Sequence, residues 1–211
     1  MFYRLVRLAS IPVFLAFFGL RRSRVQVPAG PLIVAANHVS FLDPAVLGSV
    51  FPRSIHFLMN EKVWRLPLLN WFYRGMQAVP VDRSAKGSRR ALASALVQLG
   101  AGRVVGIFPE GGRVPEGESR EGLSGVALLA RRTGCPVMPC GLRGTAEALP
   151  IGGKLPQLTK VEVCFGEPLE HASFSERTGL TGREADQAFT TELMRRIAEL
   201  AGTPEEAREA A

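Results

Sequence analysis

The chain has 211 residues, 46% of them apolar and 21% charged, a balance that fits one globular domain and excludes both a disordered chain and a polytopic membrane protein. Lys and Arg number 26 against 19 Asp and Glu, and the resulting net charge of +7 is carried mostly by arginine, whose fork suits a phosphate-bearing partner. The three cysteines, Cys135, Cys140 and Cys164, lack C-x-x-C spacing and read as buried thiols, and His38, His56 and His171 are scattered, so no metal site is expected.

The first element is the charge-free run of residues 8–20, "LASIPVFLAFFGL". As a helix it reaches about 20 Å, too short for a hydrocarbon core of about 30 Å. A secretory signal would end in small residues, whereas "RRSRV" follows. Arg4 and Arg7 before the run and Arg21, Arg22 and Arg24 after it prefer one anionic surface, which predicts a helix kinked at Pro12 that dips into one leaflet. A buried core helix is the other reading of the same pattern.

"PLIVAANH" is a strand pattern, a β-branched apolar run that stops at a turn-like break, and "DPAVLGSVF" then reads as a helix. "SIHFLMN" and "MQAVPVDR" are strand candidates joined by the aromatic-rich helical stretch "KVWRLPLLNWFYRG". "GSRRALASALVQLGAG" predicts an amphipathic helix ending near Gly100 and Gly102, which feeds the strand "RVVGIFP". The helix "GVALLARRTG" precedes the strand "CPVMPCGLRG", and "KVEVCFGEPL" is a last strand. Thr181 and Glu184 match a capping box ahead of the stripe Phe189, Leu193, Ile197 and Leu200. The alternation predicts an α/β fold, a single domain with a mixed, largely parallel central sheet flanked by helices, plus the N-terminal membrane-dipping helix. Residues 1–24 are the interfacial segment, 25–201 the domain and 202–211 a flexible tail.

In such sheets the loops beyond the strand ends carry the site. Asn37-His38 with Asp43 supports two readings: a carboxylate-oriented imidazole base, or an aspartate cap before Pro44 with a histidine that bonds only main chain. No G-x-S-x-G elbow supplies a serine nucleophile, so such a base would activate the substrate's own hydroxyl. Arg83 follows a strand and begins a basic patch with Lys86, Arg89 and Arg90; it is either a phosphate clamp or a solvated arginine. In "IFPEGGRVPEG", Glu110 and Arg113 flank Gly111 and Gly112, whose amides can meet an anion or simply form a turn. Val137, Met138 and Pro139 are either an acyl-chain contact or core.

Taken in order, these segments resemble the glycerolipid acyltransferases typified by the 1-acyl-glycerol-3-phosphate (lysophosphatidic acid) acyltransferases. The family's N-H-x-S-x-x-D motif stands intact as Asn37, His38, Ser40 and Asp43, and its Val-Asp-Arg strand end is matched by "GMQAVPVDR". Its F-P-E-G-T-R-S motif stands from Phe108 to Val114, with Gly112 and Val114 at the Thr and Ser positions. Its V-x-P strand is matched by "TGCPVMPCGLRGT". The resemblance covers about Pro31 to Thr145, and four motifs in order are far more specific than any one.

The resemblance implies transfer of a fatty acyl group from acyl-CoA or acyl carrier protein to the hydroxyl of 1-acyl-glycerol-3-phosphate, giving phosphatidic acid. It implies His38 as general base and Asp43 as its orienting partner. Asn37, Ser40, Arg83, Glu110, Gly111, Arg113 and Pro139 become the substrate-binding set, with Gly111 and its neighbours offering amides to the oxyanion. No metal or organic cofactor is implied, and membrane association on the cytoplasmic face is. Leu123 and Asn60 stand where relatives often carry lysine, which also admits glycerol-3-phosphate or another lysolipid as acceptor. A non-catalytic lipid or acyl-carrier binding module is the reading from another class; dispersed positive charge without a recognition motif does not support nucleic-acid binding.

Overall fold

The structure is a computed structural model that describes residues 2–24, 26–67, 70–81, 87–115, 120–153 and 155–202. In chain order the elements are α1 (Phe2–Phe18), β1 (Arg21–Arg22), β2 (Leu32–Ala36), α2 (Asp43–Val50), β3 (Ile55–Asn60), α3 (Glu61–Trp64), α4 (Asn70–Gly75) and β4 (Val79–Val81). There follow α5 (Gly87–Gly100), β5 (Val104–Ile107), α6 (Gly125–Thr133), β6 (Val137–Arg143), α7 (Thr145–Ala148), β7 (Glu162–Phe165), α8 (His171–Thr178) and α9 (Gly182–Ala201).

The strands form one sheet in the order β1-β7-β6-β2-β5-β3-β4. Every neighbouring pair is parallel except β6 with β7, so the sheet is mixed and largely parallel, as the alternation of patterns predicts. β2 lies at its centre and explains the unbroken apolar run of its sequence. Leu32, Val34 and Ala36 join the core beneath α1 and α2, whereas Ile33 and Ala35 join the core formed with α5, α6, α8 and α9. A strand covered on both faces has no solvent side to mark with polar residues.

Glycine permits the closest of these contacts. A Cβ on Gly141 of β6 would run into the main chain of Leu200 and Ala201, so α9 lies directly on the strand, where Arg143 Nε donates to Leu200 O at 2.8 Å. The far side is tied by Asp186, which accepts Arg131 Nε at 2.9 Å and Nη2 at 3.0 Å and bonds His171 Nε2 at 2.9 Å. That cluster joins α6, α8 and α9 and is the role the structure gives His171.

Some local expectations are corrected. α9 does start after Thr181, but Thr181 makes no side-chain capping bond, so the capping box is absent. Asp43 is the first residue of α2 rather than its cap, which is Leu42. The short edge strand β1 and the helix α8 have no counterpart in the sequence reading. The cysteines are free, with Cys135 and Cys140 buried and Cys164 half-buried. The tail from residue 203 and the Arg83–Lys86 patch fall outside the described residues apart from Arg89 and Arg90 of α5.

Candidate active site

His38 follows β2 at the carboxyl edge of the sheet, and the loop after it turns back so that its ring meets Asp43. Nδ1 of His38 lies 2.8 Å from Asp43 Oδ2, with the His38 side chain 12% exposed and the Asp43 side chain fully buried. The same carboxylate oxygen accepts the main-chain N–H groups of Val39 and Ser40, each at 2.8 Å. The aspartate therefore folds the loop and orients the imidazole with one atom. A carboxylate partner places the hydrogen on Nδ1 and leaves Nε2 as the nitrogen able to accept a proton. Asp43 Oδ1 is buried and has no hydrogen-bond partner among the described residues.

Two further contacts set the ring plane and the main chain. Phe108, at the end of β5, stacks on His38 with centroids 4.1 Å apart and planes 18° from parallel. Phe57 of β3 stacks in turn on Phe108 at 5.9 Å and 9°. His38 N donates to Glu110 Oε2 at 2.8 Å, and His38 O accepts from Val114 N at 2.8 Å. The Phe108–Val114 loop is thereby fastened to both ends of the His38 peptide. Burial pushes the Glu110 carboxyl up from 4.5 to about 7; the His38 N–H opposes the rise, the Asp43 charge adds to it and Arg120 opposes it.

The other residues of the predicted set divide between fold and site. Asn37 is committed to the main chain of Leu142 in β6: its Nδ2 donates to Leu142 O at 3.0 Å and its Oδ1 accepts Leu142 N at 2.7 Å. Ser40 is fully buried, donating from Oγ to Leu149 O at 2.8 Å and accepting Leu42 N at 3.2 Å. Pro139 is buried within β6 opposite Ala35, below the loop that carries His38. Gly111 adopts φ 71°, and its N–H donates to Phe108 O at 3.1 Å, so that amide closes a turn. Arg83 lies outside the described residues.

Arg113 lies beside the His38 loop. Its guanidinium carbon is 3.4 Å from the centre of the Phe41 ring, and Phe41 belongs to the loop between His38 and Asp43. Nη1 of Arg113 is buried without a hydrogen-bond partner among the described residues. A cation presented this way suits an anionic ligand. A cavity of about 880 Å³ opens nearby, lined by Asn37, Val39, Glu110, Arg120, Arg143 and Met194 among others. Among the described residues no group of His, Cys, Asp and Glu could hold a metal ion.

Sequence reasoning missed the aromatic contacts at Phe57, Phe108 and Phe41. Their sole sequence signal is an aromatic residue at a strand end or within a motif loop, which does not reveal what the ring covers.

The profile of the Acyltransferase family matches residues 21–143, the stretch that carries these groups. The chain is 28% identical over 169 residues to a 1-acyl-sn-glycerol-3-phosphate acyltransferase of Bacillus subtilis, covering 80% of each protein. It is 30% identical over 126 residues to a lyso-ornithine lipid O-acyltransferase of Pseudomonas aeruginosa, covering 59% of this chain and 48% of that one. In fold it is similar to the 1-acyl-sn-glycerophosphate acyltransferase of Thermotoga maritima, with a TM-score of 0.72 and 22% identity over 95% of this chain and 80% of the other.

Proposed function

Because the chain belongs to the acyltransferase family, we propose that it moves a fatty acyl group from a thioester, on coenzyme A or acyl carrier protein, to the free hydroxyl of 1-acyl-glycerol-3-phosphate. The observation that carries this reading is the His38–Asp43 pair, held at 2.8 Å beside an arginine whose Nη1 is buried and unpartnered among the described residues. The acceptor is favoured by the activity named for the Bacillus subtilis relative.

In this mechanism Nε2 of His38 takes the proton of the acceptor hydroxyl as its oxygen attacks the thioester carbonyl carbon. Asp43 keeps Nδ1 protonated and stabilises the imidazolium that forms. Negative charge develops on the carbonyl oxygen, and with the Gly111 amide used in a turn the oxyanion donor falls to its neighbour Gly112. Collapse of the tetrahedral intermediate breaks the carbon–sulfur bond, and the departing thiolate receives the proton from His38. Phosphatidic acid and the free thiol leave. Arg113 holds the acceptor phosphate, joined by Arg83 on the strength of its motif, and the thioester is activated enough that no metal or organic cofactor takes part.

Membrane association on the cytoplasmic face belongs to the same reading. Among the described residues no helix is long and apolar enough to cross a membrane. Leu5, Leu8, Val13, Leu15 and Phe17 of α1 are nevertheless exposed, and no charge lies between Arg7 and Arg21. A helix of this kind lies in the interface with arginines among the headgroups.

A second acceptor is favoured by one observation. A Cβ on Gly111 would lie 2.7 Å from Leu123 Cδ1, so an exposed apolar side chain covers the turn beside Arg113. This suits another lysolipid, such as one with a headgroup less dependent on cations. The test is a transfer assay with purified chain, both donors and a panel of lysolipids. Product from 1-acyl-glycerol-3-phosphate supports the first reading, product from a different lysolipid alone moves the assignment to the second, and no product with any pair sinks both.

A further inference from the structure

A second apolar element adjoins the exposed face of α1. The connection between β3 and β4 folds as α3 and α4, and Phe2 at the start of α1 packs into it. The Phe2 ring meets Trp71 edge-on at 5.9 Å and Phe72 at 6.4 Å. A Cβ on Gly75 would collide with the Phe2 ring, so glycine at the end of α4 is what lets the two elements touch. The surface beyond this contact is apolar and open: Trp71 is 64% exposed and Leu66 45%. It is continuous, through Phe2, with the exposed Leu5 and Leu8 of α1.

Its charges are one-sided. Residues 61–75 carry Lys62, Arg65 and Arg74 against the single acid Glu61, and Arg4 of α1 is exposed nearby. Glu61 is paired with Arg65 at 2.5 Å, and Arg74 lies over the Trp64 ring at 5.8 Å. Exposed aromatic and leucine side chains set among cations match the boundary of a bilayer whose headgroups are anionic. A second copy of this chain would bring the same cations face to face.

The location also fits. α3 begins at the carboxyl end of β3, the sheet edge that holds His38, and Phe57 of β3 is linked to His38 through Phe108. We infer that α3 and α4 join α1 in one docking face for an anionic bilayer surface, with Trp71 as the interfacial anchor and Leu66 inserted beside it. This rests on the membrane reading of α1 and extends it to a segment remote in sequence. Two anchors at different points of the domain fix its orientation, so the edge carrying His38 is held toward the leaflet that supplies the acceptor.

The chain has 2 tryptophans, so Trp64→Phe in the full-length protein leaves Trp71 as the single reporter. On vesicles of mixed phosphatidylglycerol and phosphatidylcholine its emission should shift to the blue and be quenched by lipids brominated near the headgroup. Vesicles of phosphatidylcholine alone should give a weaker response. Trp71→Ala combined with Leu66→Ser should lower partition onto the mixed vesicles by about tenfold, with circular dichroism unchanged. If that variant is misfolded, the quenching in Trp64→Phe decides alone. Vesicle binding without any change in Trp71 emission, no vesicle binding at all, or lipid-independent dimerisation that buries Trp71 would each overturn the inference. The assay reads docking and not turnover, so a chain that docks and transfers nothing sinks the catalytic reading while leaving this one standing.

Discussion

The side-chain amide of Asn37 closes a two-bond bridge to Leu142, giving its N–H to the Leu142 carbonyl and taking the Leu142 N–H in return. The bridge spans 105 positions and holds the carboxyl end of β2 against β6 immediately before His38. Asn37→Ala leaves both main-chain groups of Leu142 unpaired in a partly buried place. It should lower stability by about 1–3 kcal/mol, read as a shift in the urea midpoint with little change in slope. Unchanged stability with lost transfer would instead assign Asn37 to the substrate.

Glu110 should make stability depend on pH in a particular window. Its carboxyl has a folded pKa of about 7 against an ordinary 4.5, so between these values the folded chain holds a proton that the unfolded chain has released. Stability from this group is therefore full below 4.5, falls as pH rises through the window and is lost above about 7. Glu110→Gln keeps an acceptor for His38 N and removes the titration. Thermal unfolding of the two proteins from pH 4.5 to 8, about the span of that titration, should show the wild type losing ground to the variant as pH rises, and parallel curves would contradict the assignment.

Arg113 should act on acceptor binding. Losing a charged hydrogen bond of about 1.5–3 kcal/mol raises the acceptor KM by roughly 10- to 150-fold in Arg113→Ala. The KM for the thioester donor should hold steady. Phe41→Ala removes the ring under the guanidinium and should have a smaller effect in the same direction, about 0.5–2 kcal/mol. Steady-state kinetics with each substrate varied in turn separates these outcomes, and an equal loss in both KM values would argue against a phosphate clamp.

Gly106 tests the ring stack. A Cβ there would stand 2.5 Å from Phe57 Cδ1 and 2.7 Å from Ile55 Cγ2, so Gly106→Ala must displace the ring that supports Phe108 and through it His38. Overpacking of this kind costs about 1–3 kcal/mol. The variant should also lose kcat more than either KM, and a purely destabilised enzyme with normal kcat would show that the stack does not position the imidazole.

Much of this architecture was legible because its signals are local. The apolar run of β2 and the glycine-ended helix α5 follow from periodicity, and the His38–Asp43 contact follows from a five-residue loop that cannot separate its ends far. Asp43 misled at one level: the proline after it suggests a helix cap, whereas its carboxylate turns backward to Val39 and Ser40. Long-range partners left no trace. Nothing near Asn37 announces Leu142, and nothing near Ser40 announces Leu149. The edge strand β1 is too short for a pattern, and α8 is held through His171 by Asp186 on another helix.

In the proposed mechanism His38, oriented by Asp43, abstracts the proton of an acceptor hydroxyl. The direct test is turnover of purified protein with labelled acyl thioester and 1-acyl-glycerol-3-phosphate, comparing wild type with His38→Ala after circular dichroism has established that both are folded. The wild type should form phosphatidic acid in an acceptor-dependent way, and His38→Ala should be slower by about 10²- to 10⁴-fold with acceptor binding retained. Transfer at the wild-type rate by a folded His38→Ala protein would contradict it.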